Sequence, residues 1–271
     1  MIPFTKAHAC GNDFLIVAAE AAPDESRASL TRRLCARTTG IGADGIEFFN
    51  WTGPAAGRIR LHNADGSIAE ISGNGTRCVA AWMAQTLGSK PGDELAIETD
   101  AGLRVCRIEN LSHQGVEVTT GMGIPTFSQA TIRIGDGTAI EGAEVSMGNP
   151  HFVIVVDSPK FATAGRAWQT VGAEICIHPQ FADQTNVEFV RISGPREVEI
   201  RIFERGVGPT SSSGTGSSAA ATAAIALGLA QSPLRIVAPG GAQTVAWNGP
   251  GTELMLTGPA ALIARGEAWP A

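Results

Sequence analysis

The sequence has no run of lysines or arginines, no paired cysteines and no apolar stretch long enough to cross a bilayer. Its net charge is -6 over 271 residues, and only 17% of them are charged. A surface of that sign and density argues against nucleic acid and acidic membranes as partners. The five cysteines, Cys10, Cys35, Cys78, Cys106 and Cys176, are odd in number and irregularly spaced. That argues against a disulfide framework and a structural zinc site, and it fits a reducing compartment. The longest small-apolar run, at residues 217–230, is too short and too rich in Ala and Ser to span a membrane. The first residues, Met1-Ile2-Pro3-Phe4-Thr5-Lys6, lack the basic-then-apolar pattern of a secretory leader, so a cytoplasmic protein is expected.

Cofactor signatures are missing too. There is no Walker loop and no G-x-S-x-G elbow. The histidines His8, His62, His113, His151 and His178 show no metal-ligand spacing. Gly40-Ile41-Gly42-Ala43-Asp44-Gly45 matches a dinucleotide fingerprint in letters only. It follows a helix-like stretch and leads into a strand, the reverse of what pyrophosphate binding needs. Lys6 stays open as a Schiff-base lysine, but the sequence shows no pyridoxal-phosphate cradle. Neither a cofactor nor a metal is expected.

What the sequence does contain is itself, twice. Hydrophobic residues make up 44% of the chain, enough for one large packed domain or two of about 135 residues. Ser72-Gly73-Asn74-Gly75 returns as Ser213-Gly214-Thr215-Gly216, 141 positions later. At the same offset, Ile46-Glu47-Phe48 matches Val187-Glu188-Phe189, and Arg60-Leu61-His62-Asn63 lies opposite Arg201-Ile202-Phe203-Glu204. Several matches in order and in register mark a duplication. Each half reads as β-branched, alternating strands, followed by a helix after the Ser-Gly-x-Gly turn. The helices are expected over 76–87 and 217–227, closed by Gly88 and Gly228. A further amphipathic helix is expected over 26–37. The fold class is therefore α+β, with two pseudo-symmetric halves, each a curved, mostly antiparallel sheet or barrel around a central helix. The boundaries are 1–119, joined by 259–271, and 120–258, with the site at the junction of the halves.

The chemistry is expected at the two turns. The first amides of a helix lack internal partners and carry partial positive charge, and glycine lets a ligand approach them. A repeated pair of such turns suits a small molecule with a carboxylate. Asn12, Asn63, Asn74, Asn149, His151, Asn186, Glu204 and Arg205 all fall in turns or at strand ends. Together they can hold an α-amino acid; singly, each also fits the role of a turn residue, a cap or a structural ion pair.

Seven motifs, in order, resemble the diaminopimelate epimerase family over nearly the whole chain. They are Phe4 to Phe14, Gly40 to Gly45, His62 to Ser67, Gly73 to Cys78, Ser146 to His151, Thr185 to Phe189, and Glu204 to Thr210 with Ser213 to Gly216. The resemblance implies an isomerase: a homodimer without cofactor that interconverts LL- and meso-diaminopimelate for lysine and peptidoglycan precursors. It implies two cysteines that pass the α-proton, one as thiolate and one as thiol. It implies that Asn12, Asn63, Asn149, Asn186, Glu204 and Arg205 hold the substrate, and that Gly73, Asn74, Gly214 and Thr215 supply amides.

The family's two cysteine positions are Ser72 and Ser213 here. A cysteine thiol titrates near 8.5, and an alcohol far higher, close to water. The gap of roughly 7 pKa units is ~10 kcal/mol, which argues against thiolate-type turnover at useful speed. Four readings follow. The serines are engineered replacements; or another base, such as His151 or Glu204, activates one hydroxyl; or the chain is a related isomerase or dehydratase; or it binds without catalysis.

Overall fold

The computed structural model describes residues 1–113 and 115–269. Positions 270 and 271, the end of the segment expected to join the first half, lie outside the described residues. In chain order the elements begin β1 (Ile2–Ala9), β2 (Asn12–Ala18), α1 (Asp24–Cys35), β3 (Gly45–Gly53), β4 (Ala56–Asn63), β5 (Ile68–Ala69), α2 (Gly73–Leu87), β6 (Glu94–Thr99), β7 (Gly102–Ser112) and β8 (Gly115–Gly121). They continue with β9 (Thr126–Arg133), β10 (Ala139–Ser146), β11 (Pro150–Val155), α3 (Trp168–Cys176), β12 (Asn186–Gly194), β13 (Glu197–Glu204), β14 (Gly208–Thr210), α4 (Gly214–Ala226), β15 (Leu234–Ala238), β16 (Gly241–Ala246) and β17 (Met255–Ala268). Two compact units result: Met1–Gly121 with Thr257–Ala271, and Met122–Leu256.

In the first unit the strands close into a ring. Pairing runs β1–β2–β3–β4–β6–β7–β8–β17 and returns from β17 to β1. Helix α2 fills it. Val79, Ala80, Met83 and Ala84 pack on Phe14, Ile16, Leu61, Ile97 and Ile108. Alternation puts the other strand face outside, where Leu15, Val17, Ile46 and Phe48 bury Leu30 and Leu34 of α1. Gly88 closes α2 in the left-handed conformation, with φ 65 and ψ 37.

The second unit repeats the plan. Strands β9 to β13, β15 and β16 wrap α4, and α3 packs outside through Val171 and Ile175. Every residue of α4 from Gly214 to Ala224 is buried. A helix enclosed by strands on all sides has room only for small side chains, which explains its Ala and Ser content. Each unit carries one parallel pair joined through its outer helix. β2 and β3 meet with Phe14 opposite Gly45, and β11 and β12 with His151 opposite Asn186.

Candidate active site

The two Ser-Gly-x-Gly turns are built alike. Ser72 and Ser213 are extended N-caps, with φ/ψ of -126/119 and -144/133. The amide of Gly75 donates to Ser72 Oγ at 3.0 Å, and that of Gly216 to Ser213 Oγ at 3.1 Å. A serine cap of this kind contributes about 1 kcal/mol to its helix. It also fixes the hydroxyl: the oxygen takes an N–H, and its own proton is left to donate. Ser213 Oγ lies 3.4 Å from Thr215 Oγ1.

Around α2 the polar residues form one network. Asn74 Nδ2 donates to Asn12 Oδ1 at 3.1 Å, and the buried Arg77 donates to Asn74 Oδ1 at 2.5 Å. Asn12 Nδ2 donates to Asp44 Oδ2 at 2.6 Å. Arg37 ties Asp44 to Asp13 at 2.7 Å each, and Lys6 meets Asp13 at 3.0 Å. Burial alone would raise the Asp13 carboxyl; hydrogen bonds and charge from Arg37 and Lys6 outweigh it and hold Asp13 below its ordinary value. The glycine-rich loop 40–45 thus serves as a brace that delivers Asp44 to Asn12. Asn63 stands apart, donating to Ser67 Oγ at 3.1 Å within its own turn.

Around α4 a second network runs inward. Asn149 Nδ2 points to Thr215 Oγ1 at 3.5 Å, and its Oδ1 lies 3.0 Å from His151 Nε2. His151 Nδ1 lies 2.8 Å from Glu188 Oε1. An amide oxygen only accepts, so His151 Nε2 carries a proton. The proton between Nδ1 and Glu188 is then shared by a buried pair. Burial raises the Glu188 carboxyl, and the imidazole partly offsets it. Asn186 and Arg205 join separately: the Arg205 amide donates to Asn186 Oδ1 at 3.0 Å, and its guanidinium to Asp183 O at 2.7 Å. Glu204 ends β13 opposite Gly208.

No cysteine stands as the N-cap of α2 or α4. All five are buried. Burial pushes Cys35 up to about 12 and Cys106 to about 11, and it raises Cys78 and Cys176 as well. Thiols held this way stay protonated.

Two residues of these sites, Glu47 and Glu188, carry no role in the sequence beyond marking the repeat, Glu188 also lying within the Thr185 to Phe189 motif. Both are fully buried. Both lie 141 positions apart, the spacing of the serines, and that shared offset was the available signal.

Comparison with known proteins agrees along the chain. The family model for diaminopimelate epimerase matches residues 4–127 and 144–263. Proteins named diaminopimelate epimerase from Parabacteroides distasonis and Desulforudis audaxviator are 34% and 37% identical, covering 98% and 97% of this chain and 97% and 98% of theirs. An Azoarcus protein of the same name is 36% identical over 98% of both chains. Among solved structures, a hydroxyproline epimerase from Agrobacterium vitis superposes with a TM-score of 0.70 at 16% identity, covering 98% of this chain and 91% of its own. A proline racemase described as probable, from Agrobacterium radiobacter, gives 0.73 at 16% identity, over 99% and 93%. The structures support the fold, and the family model with its relatives supports the lineage: the chain belongs to the diaminopimelate epimerase family.

Proposed function

We propose that this chain is a cofactor-independent amino-acid epimerase of LL- and meso-diaminopimelate, working as a cytoplasmic homodimer in the supply of lysine and peptidoglycan precursors. One observation carries the reading: the duplicated helix start, each capped by a serine whose oxygen is held by a glycine amide. Ser72 and Ser213 occupy the proton-transfer positions. One group takes the α-proton, and charge spreads from the α-carbon into the carboxylate. The first-turn amides of Gly73, Asn74, Gly214 and Thr215 meet that charge as it builds. The other group returns a proton to the α-carbon, and the count closes. Asn12, Asn63, Asn149, Asn186, Glu204 and Arg205 bind the remaining polar groups, and His151 steadies Asn149.

The alcohol groups favour a second reading, a protein that holds the amino acid and turns it over slowly or not at all. A deuterium experiment separates the two. On incubation with LL-diaminopimelate in deuterated water, the epimerase gives meso product labelled at the α-carbon. Saturable binding without exchange leaves only the binder. Replacing both serines by cysteine raises epimerisation by at least about 10³-fold, if half of the ~10 kcal/mol gap is felt in the transition state. No gain from the double variant would overturn the epimerase reading. Light scattering tests the dimer against a 28.0 kDa protomer.

A further inference from the structure

Each serine-capped turn rests on a buried glutamate for which the reading above has no task. Glu47, on β3, is fully buried, and neither carboxyl oxygen has a hydrogen-bond partner among the described residues. Its Oε1 lies against Gly75: a methyl group built on that residue would meet this oxygen first, then the Cβ of Ser72. Gly75 is the residue whose amide caps Ser72. In the second unit a methyl on Gly216 would lie 2.8 Å from Glu188 Oε1 and 3.2 Å from the Cβ of Ser213. The cluster of carboxyl, glycine and serine thus occurs twice. In both, the missing side chain is what brings the carboxyl up to the first helical turn.

The two copies differ in one respect. The β2–β3 pairing puts Phe14 opposite Gly45, where the β11–β12 pairing puts His151 opposite Asn186. The repeat therefore sets a phenyl ring where Glu188 has an imidazole. A buried carboxylate with neither donor nor cation is costly, so Glu47 stays protonated. Burial alone pushes it up to about 8.

We propose that Glu47 is a positioning residue at the start of α2: as a neutral acid it leaves the positive end of that helix available to the substrate's α-carboxylate, and as a carboxylate it cancels that field. The proposal rests on the amino-acid reading above. Glu188 has an imidazole partner in His151 where Glu47 has none, so the proposal is made for the first unit.

The titratable groups on the elements around Glu47 do not imitate it. Cys78 of α2 is held protonated by burial, and Asp13 of β2 is held ionised by Arg37 and Lys6. Burial lowers His62 of β4, which is neutral throughout the alkaline range. Arg77 of α2 is lowered by burial, and a guanidinium keeps its proton in proteins.

The test uses the full chain, wild type and Glu47→Gln, with meso-diaminopimelate titrated calorimetrically at pH 6.5 and 9.5. Wild type is expected to lose about tenfold more affinity over that interval than the variant, the scale of one charge added a few ångströms from another at a partly wet site. Equal losses overturn the proposal. Infrared difference spectra of the unliganded proteins give a second readout. A protonated-carboxyl band present in wild type at pH 6.5, absent in the variant and lost by pH 9.5 is expected; its absence at pH 6.5 overturns the proposal whether or not ligand binds. Failure of both proteins to bind at any pH with the band present overturns the diaminopimelate reading, and this proposal falls with it; equal losses, or a missing band, with binding intact overturn this proposal alone. If Glu47→Gln does not fold, Glu47→Asp withdraws the acid from Gly75, and the excess pH dependence must shrink.

Discussion

Replacing Glu47 by glutamine is expected to stabilise the protein at alkaline pH, a result that does not depend on any ligand. The carboxyl titrates near 4.5 when exposed and about 8 in the fold. The sign follows from that order. Below pH 4.5 both states hold the proton and the residue costs nothing through ionisation. As pH rises through the unfolded value, the unfolded chain releases its proton and the folded chain does not, so stability falls until the folded value is passed. At ~1.36 kcal/mol per pKa unit, the loss between pH 5 and pH 8 is ~4 kcal/mol. Glutamine has the same shape and no proton to lose. Urea unfolding of both proteins at pH 5 and pH 8 isolates the effect, because Asp13, Asp65, Glu174 and Glu199, all held below their ordinary values, are common to both. The difference between variant and wild type should grow by ~4 kcal/mol from pH 5 to pH 8. A difference independent of pH would refute the protonated, unpartnered state of Glu47.

Two further outcomes bear on the sites. Gly216→Ala forces a methyl to within 2.8 Å of Glu188 Oε1 and should destabilise the second unit by ~1–3 kcal/mol in chemical denaturation, with substrate binding weakened as the α4 start shifts. Asp44→Ala removes the acceptor that holds Asn12 and one of the two carboxylates on Arg37; calorimetry should show diaminopimelate affinity falling by ~10-fold or more, the loss of a charge-assisted contact within a binding network.

The duplication was legible because glycine-rich turns and enclosed helices leave strong marks in a sequence. Helices expected over 76–87 and 217–227 are found at Gly73–Leu87 and Gly214–Ala226, with the serines themselves as caps. Helix α3 was not anticipated. It is short, and Gly172 interrupts its apolar pattern where a side chain would strike Phe203 at 2.7 Å. The repeat did carry a hint, since Cys35 ending α1 and Cys176 ending α3 are 141 positions apart. The hairpin of β9 and β10 went unread as well: five of the eight β9 residues are partly or fully exposed polar ones, so its apolar face is thin. At the site, pairings such as Asn12 with Asp44 join residues far apart in sequence and needed the fold. Glu47 and Glu188 were hidden for another reason. A lone glutamate between apolar neighbours in a strand reads as an outward-facing residue, and only closure of the sheet around α2 turns that face inward.

The ring of the first unit has a consequence for how the chain is made. Its last seam joins Ile2 to Ala268, nearly the full length of the polypeptide apart. The second unit, Met122–Leu256, is continuous and complete before that seam can form. On a ribosome the half that is synthesised first therefore finishes last, holding an open edge at β1 until β17 emerges. Any chain truncated before β17 leaves that edge unpaired, ready to recruit a strand from another molecule.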